Sequence, residues 1–376
     1  MTDRLFLSPP HQNGREPALI QEVLESNYLA PVGPMLDRLE QNMCEITGIP
    51  HGLAVNSGTA ALHLALRHLC DKHSRTDLRP PVVIAASLSF MASIAPALQL
   101  GCEVWLTDAE ASSWTMDPIH LSHALSDAKT EGRQVLCVLP TDLYGQACDL
   151  EAIQGLCTPA GIPVLCDSAE ALGVVRDGPA PWAHVFSFNG NKIITCSGGG
   201  FLASHDPELI SHARKLSMQA KEPVVHYEHQ EIGYNYRMSN LLAGVAVAQL
   251  ETLSDRVQQK RGIFEQYQKS LEGMEGLRFM PEAGWNQATR WLSVLLVHAD
   301  RFGATREDIR LALEAENIES RPIWKPLHQQ PALRQVRMYG GDISDQLFRE
   351  GLCLPSGTAM TQSDVERVCT IVKKLY

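Results

Sequence analysis

The chain has 376 residues, of which 44% are hydrophobic and 20% charged, and its formal net charge is −11 at pH 7. This composition is typical of a globular protein, and the length favours two lobes over a single core. The acidic balance argues against a general nucleic-acid or membrane-surface binder, although it permits a local basic pocket.

The N-terminal stretch MTDRLFLSPPHQNG carries two prolines and no apolar core, so it is not typical of a signal peptide. No apolar run approaches the length of a membrane-spanning helix. The ten cysteines are scattered without a close metal-type pair, which predicts buried, reduced thiols. We therefore predict a cytoplasmic protein with no membrane or nucleic-acid partner.

Short apolar runs alternate with helical patterns from about residue 50 to residue 205. The run LAVNS precedes the helical stretch GTAALHLALRHL, and PVVIAA precedes a helix through Ala97. The runs EVWLTD, QVLCVLP, PVLCDSAE, HVFSF and GGFLAS follow in order. This alternation predicts a largely parallel sheet covered by helices on both faces, with ligands beyond the C-terminal ends of the strands.

The pattern changes near residue 255. Residues 238–258 resemble one long helix, and amphipathic helices with charged outer faces follow it, together with the strand-like runs GLRFMP and RWLSVLLVHA. We predict a large α/β domain over residues 1–254 and a smaller α+β domain over residues 255–376. The N-terminal segment, residues 1–20, is expected to pack on the smaller domain.

Polar residues fall where the predicted strands end. Ser57, Gly58 and Thr59 close the first strand and open a helix. Ser57 is a good N-cap, and the N–H groups beside the positive end of a helix bind anions. Taken alone, a plain N-cap is the simpler interpretation.

Two more strand ends carry candidate groups. Asp167 follows four apolar residues, and burying that acid is costly unless it meets a positive partner such as a protonated ring nitrogen. Phe90 ends SLSF at a helix start, where an aromatic ring can lie flat on a ring-shaped cofactor. The simpler interpretations are an acid that caps a turn and a phenylalanine of the core.

Lys192 is the only charged residue of FSFNGNKIITCSGGGFLAS, residues 186–204. Apolar and small surroundings disfavour the ammonium form and favour the lysine as a nucleophile, which suits a bond to a carbonyl cofactor. Alone, it would be interpreted as a solvated turn lysine. An anion site, a flat aromatic, a buried acid and a lysine in chain order together predict pyridoxal phosphate.

The chain resembles the DegT/DnrJ/EryC1/StrS family of nucleotide-sugar aminotransferases, which are fold-type-I pyridoxal-phosphate enzymes. The resemblance runs almost end to end, through NSGTAALHLAL, LSFMASIAPALQLG, DLYGQ, DSAEALG, SFNGNK, SGGGFL, GYNYRMSNLLAGVAVAQLE and RPIWKPLH. It implies a large domain with a seven-stranded, mostly parallel sheet between helices, and a smaller C-terminal α+β domain.

The resemblance also implies a role for each matched position. Lys192 would bind the cofactor covalently and then shuttle a proton, and Asp167 would hold the pyridine nitrogen protonated. Glu170 would lie near the ring hydroxyl, and Phe90 would stack on the ring. The phosphate would be bound by Gly58, Thr59, Ser187 and, from the neighbouring subunit of a homodimer with two shared sites, Asn235.

Two positions depart from the family pattern. Asp142 stands where relatives often have histidine, and SLSF stands where they often have FTF. Neither change removes a catalytic group. Because relatives with histidine in place of the lysine are sugar dehydratases, the retained Lys192 favours transamination.

A narrower resemblance concerns the substrate. The segments FLSPPH, ESNYLAPVGP, SFNGNKIIT, HYEH, RPIWKPLH and CLPSGTAM are similar to bacterial enzymes that aminate a UDP-linked 4-keto-6-deoxy-N-acetylhexosamine in the bacillosamine pathway. This implies L-glutamate as donor, 2-oxoglutarate as co-product and ping-pong kinetics. The diphosphate needs cations, for which the candidates are Arg237, Arg321, Lys325 and His328; surface charge is the simpler interpretation of each.

Several alternatives remain open. The acceptor could be another nucleotide-linked keto sugar, either dTDP-linked or 3-keto, or the chain could be a silent sugar-binding relative. A desulfurase would need a mobile cysteine, whereas Cys196 lies in a small-residue turn. A nicotinamide enzyme would need a glycine fingerprint that NSGTA is not. His226 and His229 lack a third ligand, so we predict a loop near the cleft mouth and no metal.

Overall fold

The computed structural model describes residues 3–72, 79–333 and 335–376. Its α-helices are α1 Glu16–Ser26, α2 Pro34–Thr47, α3 Gly58–Lys72, α4 Met91–Gln99, α5 Pro118–Thr130, α6 Leu150–Cys157, α7 Pro207–Ser217, α8 Asn240–Leu250, α9 Leu253–Ser270, α10 Ala299–Phe302, α11 Arg306–Ala315, α12 Asp342–Glu350 and α13 Gln362–Lys373.

The strands alternate with these helices through the first two thirds of the chain. They are β1 His51–Val55, β2 Val82–Ala86, β3 Glu103–Thr107, β4 Val135–Leu139, β5 Leu165–Asp167, β6 Val175–Arg176, β7 Ala183–Ser187, β8 Gly200–Ser204, β9 Leu277–Phe279, β10 Asn286–Gln287, β11 Ser293–Val297, β12 Arg321–Pro322, β13 Arg337–Tyr339 and β14 Gly351–Leu354.

The main sheet combines two four-stranded ladders, β1-β8-β7-β5 and β13-β3-β2-β4. They join where Val138 of β4 bridges Val164 in parallel, beside β5, and where the Asp167 N–H donates to the Pro140 carbonyl at 2.9 Å. Strand β8 is antiparallel to both neighbours, and the other pairings in these ladders are parallel. The predicted seven-stranded, mostly parallel sheet is confirmed, and β13 extends it by one edge strand.

Helices cover both faces of this sheet. Leu53 and Val55 of β1 pack in one apolar cluster with α3, α4 and α7, while Ala54 between them faces a second cluster with α2 and α8. Alternate side chains of a strand point to opposite faces, so each strand serves both clusters. This burial on both sides explains why the strand runs are almost continuously apolar.

The last third of the chain builds a second, antiparallel sheet of order β12-β14-β11-β9. Its own apolar cluster includes Leu295, Leu313 and Val368, from β11, α11 and α13. Strand β13 leaves this region and pairs in parallel with β3 of the main sheet. The division between residues 254 and 255 stays a prediction, and this strand crosses it.

The predicted single helix over residues 238–258 is wrong, because two helices, α8 and α9, occupy that stretch. Residues 251–252 form a turn between them. The Thr252 hydroxyl donates to the Gln249 carbonyl at 3.1 Å. A short hydroxyl side chain that bonds to nearby backbone competes with the helical ladder, which suits a helix boundary here.

The N-terminal residues lie along the second sheet. The Leu5 N–H donates to the Asn317 carbonyl at 3.0 Å, and the Ser356 N–H donates to the Leu7 carbonyl at 2.7 Å. Residues 1 and 2 of the predicted packing segment lie outside the described residues. Nowhere in the described part of the chain is there a helix with the length and apolarity needed to span a bilayer.

Candidate active site

A cavity of about 1150 Å³ opens at the C-terminal ends of the parallel strands. Its walls combine the ends of β1, β2, β5 and β7 with residues 6–10, residues 291–292 and residues 319–325. The lining includes nine of the predicted site residues: Gly58, Thr59, Phe90, Asp167, Glu170, Ser187, Lys192, Arg321 and Lys325. The convergence of strand ends that the sequence predicted therefore occurs in one place.

Lys192 lies in a turn directly after β7, where its N–H donates to the Asn189 carbonyl at 3.0 Å. The sequence predicted apolar and small surroundings for its amine. In the structure the Lys192 Nζ lies 3.1 Å from the Glu170 Oε1 and 4.3 Å from the centre of the Trp291 ring. A carboxylate and an aromatic face both stabilise an ammonium group, so the lysine is held by two partners that the local sequence does not reveal.

Glu170 is buried and faces both the lysine and the backbone. Burial raises the pKa of its carboxyl to about 7, although Lys192 opposes that shift. Its Oε2 accepts a hydrogen bond from the Tyr144 N–H at 2.8 Å. The carboxyl can therefore exchange a proton or a hydrogen bond with a group at the lysine end of the cavity.

Asp167 ends β5 as a buried carboxyl whose pKa is raised, first of all by burial. Its Oδ2 accepts from the Ser93 hydroxyl at 2.5 Å, and its Oδ1 accepts from the Ala169 N–H at 3.1 Å. Both hydrogen-bond partners are neutral. A protonated ring nitrogen in the cavity would offset the burial cost of the ionised carboxyl, as the sequence predicted.

A chain of hydroxyls stands behind Asp167. The Ser93 hydroxyl lies 2.7 Å from that of Ser89, which lies 2.8 Å from that of Thr141. Sequence reasoning missed Ser93, although its place one turn after Phe90 in α4 was a usable signal. This chain fixes the Ser93 hydroxyl toward Asp167.

Another part of the cavity wall is formed by the start of α3 and the end of β7. The Ala60 N–H donates to the Ser57 hydroxyl at 3.0 Å, so Ser57 is the N-cap that the sequence predicted. The amides of Gly58 and Thr59 precede that bond, at the positive end of a helix. A Cβ on Gly200 would lie 2.4 Å from the Gly58 nitrogen, so glycine permits β8 to pass behind this helix start.

Phe90 is the N-cap residue of α4 and is exposed at the cavity. Its ring centre lies 5.6 Å from that of Trp324. An exposed phenylalanine on the wall of a cavity offers a flat apolar face to a ligand, and burial of that face would stabilise the complex. The simpler interpretation, a phenylalanine of the core, does not match this position.

The four candidate substrate cations separate into two pairs. Arg321 and Lys325 line the cavity, with the Arg321 guanidinium held 2.8 Å from Glu319 and 67% exposed.

The other two candidates bind groups of the chain itself. Arg237 is buried, pairs with Glu40 and donates to the Ala54 carbonyl at 2.7 Å. His328 accepts or donates at the Ser87 hydroxyl and lies 2.9 Å from Asp345. Within this chain, Arg237 and His328 connect elements rather than face the cavity.

Asn235 is exposed and is not part of the cavity wall. Its backbone carbonyl accepts from the Asn56 side chain at 3.2 Å, and Asn56 does line the cavity. The predicted reach of Asn235 into a neighbouring subunit stays a prediction.

Two other sequence features receive a structural account. Asp142 pairs with Arg176 at 2.6 Å in the interior, so this departure from the family pattern belongs to a buried ion pair. Cys196 is buried, and burial raises the pKa of its thiol to about 12. A thiol held in that state is a poor nucleophile, which disfavours the desulfurase alternative.

Two clusters of possible metal ligands occur among the described residues, but cationic side chains already pair with the carboxylates of each cluster. In the first, Asp142, Cys166 and His184, the carboxylate pairs with Arg176. In the second, Asp71, His212 and Glu231, Arg67 and Lys215 pair with the two carboxylates. His226 pairs with Glu228 and His229 bonds to the Gln219 carbonyl, and neither histidine is among the residues that line the cavity.

The described residues thus fit pyridoxal phosphate. A buried carboxyl without a cationic hydrogen-bond partner, an exposed aromatic face, a lysine beside a second acid and an anion-binding helix start surround one cavity. Sequence reasoning missed Trp291, whose ring lies over the Lys192 amine, and it assigned no site residue within 6–10, although FLSPPH was part of the narrower resemblance. Neither belongs to a strand-end pattern in the first part of the chain.

Comparison with known proteins places this geometry in a family context. The model of the DegT/DnrJ/EryC1/StrS aminotransferase family matches residues 10–373. EpsN of Bacillus subtilis (strain 168), assigned as a pyridoxal phosphate-dependent aminotransferase, is 43% identical over 384 residues, which cover 100% of this chain and 97% of EpsN. GDP-perosamine synthase of Vibrio cholerae is 28% identical over 373 residues, covering 98% of both chains.

Solved structures share the fold. A DegT DnrJ EryC1 StrS aminotransferase from Brucella abortus superposes with a TM-score of 0.86 at 24% identity, covering 96% of this chain and 95% of that one. Helicobacter pylori PseC, an aminotransferase of pseudoaminic acid biosynthesis, superposes with a TM-score of 0.89 at 22% identity, covering 100% and 99%. These likenesses confirm the predicted fold class.

Proposed function

The chain belongs to the DegT/DnrJ/EryC1/StrS aminotransferase family, and from that premise we propose which amino group it moves and to which sugar. It is a pyridoxal phosphate-dependent aminotransferase. The proposed reaction transfers the amino group of L-glutamate to C4 of a UDP-linked 4-keto-6-deoxy-N-acetylhexosamine. The observation that carries this proposal is the convergence of Lys192, Asp167 and two cationic side chains, Arg321 and Lys325, on one cavity.

Pyridoxal phosphate, when bound, supplies an aldehyde that condenses with amines and a ring that accepts the electron pair released when a C–H bond breaks. The chain's own groups do the rest. The Lys192 Nζ takes a proton from the donor carbon and later returns one to the acceptor carbon. Asp167 holds positive charge on the ring nitrogen, and Glu170 lies 3.1 Å from the lysine to stabilise its ammonium form between transfers.

Two cationic side chains on the cavity wall, those of Arg321 and Lys325, support a diphosphate-linked substrate. Arg321 begins β12, Lys325 lies on the segment that follows this strand, and both line the cavity wall. Two of the segments that carried the narrower resemblance, FLSPPH and RPIWKPLH, contribute residues 6–10 and 321–325 to this wall. A guanidinium group binds phosphate oxygens with two parallel hydrogen bonds, provided that Arg321 turns from Glu319 toward the substrate.

The proposed reaction is tested by cofactor uptake and two half-reactions. We expect the protein to turn yellow with added pyridoxal phosphate and to lose that absorbance with L-glutamate in the absence of a keto sugar. Among UDP-, dTDP- and GDP-linked 4-keto sugars and a UDP-3-keto sugar, the UDP-4-keto-N-acetylhexosamine should give the highest kcat/KM. A colourless protein that binds no cofactor would contradict the site; a preference for another sugar would contradict only the substrate.

A GDP-linked acceptor belongs in that panel because GDP-perosamine synthases are among the relatives, at 28% identity. EpsN, at 43% identity, shares more residues with this chain, and its name specifies no sugar. The relative activities with UDP-linked and GDP-linked keto sugars therefore distinguish the two candidate substrates directly.

We also propose a homodimer in which Asn235 of each subunit binds the phosphate in the other subunit's site. The segment before Asn235 supports this, because the large apolar side chains Val225, Tyr227 and Ile232 are strongly exposed in the single chain. Reduced cysteines, eight of ten buried, support the proposed cytoplasmic location.

Mixing two inactive variants tests the shared site. In the proposed dimer each site takes Lys192 from one subunit and Asn235 from the other. Subunit exchange between the Lys192→Ala and Asn235→Ala variants should therefore restore one intact site in each mixed dimer. About a quarter of wild-type activity is expected for equal mixing, because mixed dimers form half of the population and carry one of two sites. A mixture as inactive as its components, with exchange shown by mass spectrometry, would contradict the proposal.

A further inference from the structure

Lys260 on α9 is 2% exposed, and oxygen atoms of three separate segments surround its amine. The Nζ donates to the Trp291 carbonyl at 2.8 Å, the Ser356 carbonyl at 2.8 Å and the Ser8 hydroxyl at 3.3 Å. None of these three acceptors is a carboxylate. Burial lowers the pKa of Lys260 to about 7, with Arg256 adding to the effect. A buried lysine of this kind is costly and needs all of its donors used.

The three acceptors share a location. Ser8 belongs to the N-terminal segment, Trp291 precedes β11 and Ser356 follows β14, and the first two line the active-site cavity. Arg256, one helical turn before Lys260, donates to the backbone carbonyls of residues 11 and 12. One face of α9 therefore holds the N-terminal segment against the second sheet. Of the two cations on this face, Lys260 also bonds to Trp291, whereas Arg256 does not.

Two of these partners, Trp291 and Ser8, also bond to the turn that carries Lys192. The Trp291 indole N–H donates to the Asn191 carbonyl at 2.8 Å, and the Ser8 hydroxyl donates to the same carbonyl at 3.1 Å. Asn191 directly precedes Lys192, whose Nζ lies 4.3 Å from the centre of the Trp291 ring. The hydrogen bonds form a closed ring from Lys260 through Trp291 and Asn191 to Ser8 and back.

This ring fixes the backbone on the N-terminal side of Lys192 from outside its own turn. The turn itself has the hydrogen bond from the Lys192 N–H to the Asn189 carbonyl, and Asn189 and Lys192 are both at the cavity. The rate of proton transfer falls steeply when the reacting groups are displaced. A fixed backbone at Asn191 should therefore affect the rate of the chemical step more than the affinity for the substrate.

We propose that Lys260 is a positioning residue for the aminotransferase reaction: through Trp291 and Ser8 it fixes the Asn191 carbonyl and so the turn that carries Lys192. This inference rests on the proposed role of Lys192 as the cofactor-binding and proton-moving group. Lys260 touches neither substrate nor cofactor and acts only through its hydrogen-bonded partners.

The test compares Lys260→Met with Lys269→Met, an exposed lysine on the same helix. Lys260→Met should lower kcat by about 10- to 100-fold with the KM for L-glutamate changed less than about twofold, since misplaced reacting groups slow chemistry before they weaken binding. In cofactor-free protein, hydrogen exchange at the Lys192 amide should become faster. Lys269→Met should match the wild type in all three measurements.

Trp291→Phe and Ser8→Ala each break one link while keeping Lys260. Both should accelerate exchange at the Lys192 amide and lower kcat by less than Lys260→Met does. Adding Ser8→Ala to Lys260→Met should have little further effect, because the two residues belong to one hydrogen-bonded ring. If Lys260→Met does not fold, Trp291→Phe and Ser8→Ala test the inference by themselves.

The outcomes separate this inference from the proposed function. Wild-type protein that takes up no pyridoxal phosphate would contradict the function itself. If the wild type binds cofactor normally, a Lys260→Met protein with lower thermal stability but unchanged kcat and unchanged exchange would show that Lys260 serves stability alone. If Lys260→Met fails to fold, unchanged kcat and exchange in Trp291→Phe and Ser8→Ala would overturn the inference equally.

Discussion

Replacing Lys192 with alanine should stop turnover while leaving pyridoxal phosphate able to bind. The Lys192 amine is the group proposed both to bond to the cofactor aldehyde and to move a proton, so its loss removes nucleophile and base together. Proton transfer alone contributes roughly 10²–10⁴-fold to rate, and the loss of both roles should equal or exceed that range. The measurement is the rate of amino transfer from L-glutamate, beside the Kd for pyridoxal phosphate.

The matched control for this change is Lys373→Ala, an exposed lysine near the end of α13. It should retain wild-type kinetics and absorbance. The Lys192→Ala protein should also bind cofactor without the absorbance that reports a covalent bond to lysine. Turnover within tenfold of the wild type would remove Lys192 from the mechanism, whatever the cofactor affinity.

Asp167→Asn should give the second largest loss, a fall in kcat of about 10²–10³-fold, comparable to the removal of one preorganised electrostatic group from other enzymes. Asparagine keeps the size of the side chain but carries no charge to hold the ring nitrogen protonated. The ring then accepts electron density less readily when the C–H bond breaks. The KM values for both substrates should change much less than kcat, since the carboxyl acts on the cofactor.

Ser93→Ala provides a graded companion to that change. The Ser93 hydroxyl bond lowers the pKa of Asp167, against the larger effect of burial, so its removal should raise that pKa further. The reaction needs the ionised carboxyl, so activity is lost as the pH falls through its pKa, and the acid limb of the pH profile should move to higher pH. Ser89→Ala, which leaves the bond from Ser93 to Asp167 intact, should move it less. An unchanged acid limb in both variants would contradict this role.

The strand-end residues of the site were predictable because their signals are local. Gly58, Phe90, Asp167 and Lys192 each follow an apolar run within a few residues, and parallel strand ends converge at one edge of a sheet whatever their strand order. Their chain order also matched the parts of one cofactor. The boundary between α8 and α9 was missed because apolar residues keep a helical spacing across it, at Val247, Leu250, Leu253 and Val257.

Burial and ion pairing of the candidate cations required the tertiary structure. Arg237 and Arg321 both lie in motif-like segments, yet one pairs with Glu40 in the interior and the other lines the cavity. Nothing in the residues around Arg237 indicates Glu40, which is 197 positions away in the chain. Whether a cation faces a ligand or a buried carboxylate depends on which distant segment packs against it.

The sequence by itself predicted the mostly parallel sheet, pyridoxal phosphate as the cofactor, and Lys192 and Asp167 as the residues that bind it, because each depends on local patterns of burial and turn chemistry. Only the tertiary structure decided what surrounds Lys192: Glu170 at 3.1 Å, the Trp291 ring at 4.3 Å and the Asn191 carbonyl bonded by Ser8 and Trp291. Ser8 and Trp291 lie 183 and 100 positions from Asn191. Contacts across such separations form only when whole elements pack, and no local preference of the chain encodes them.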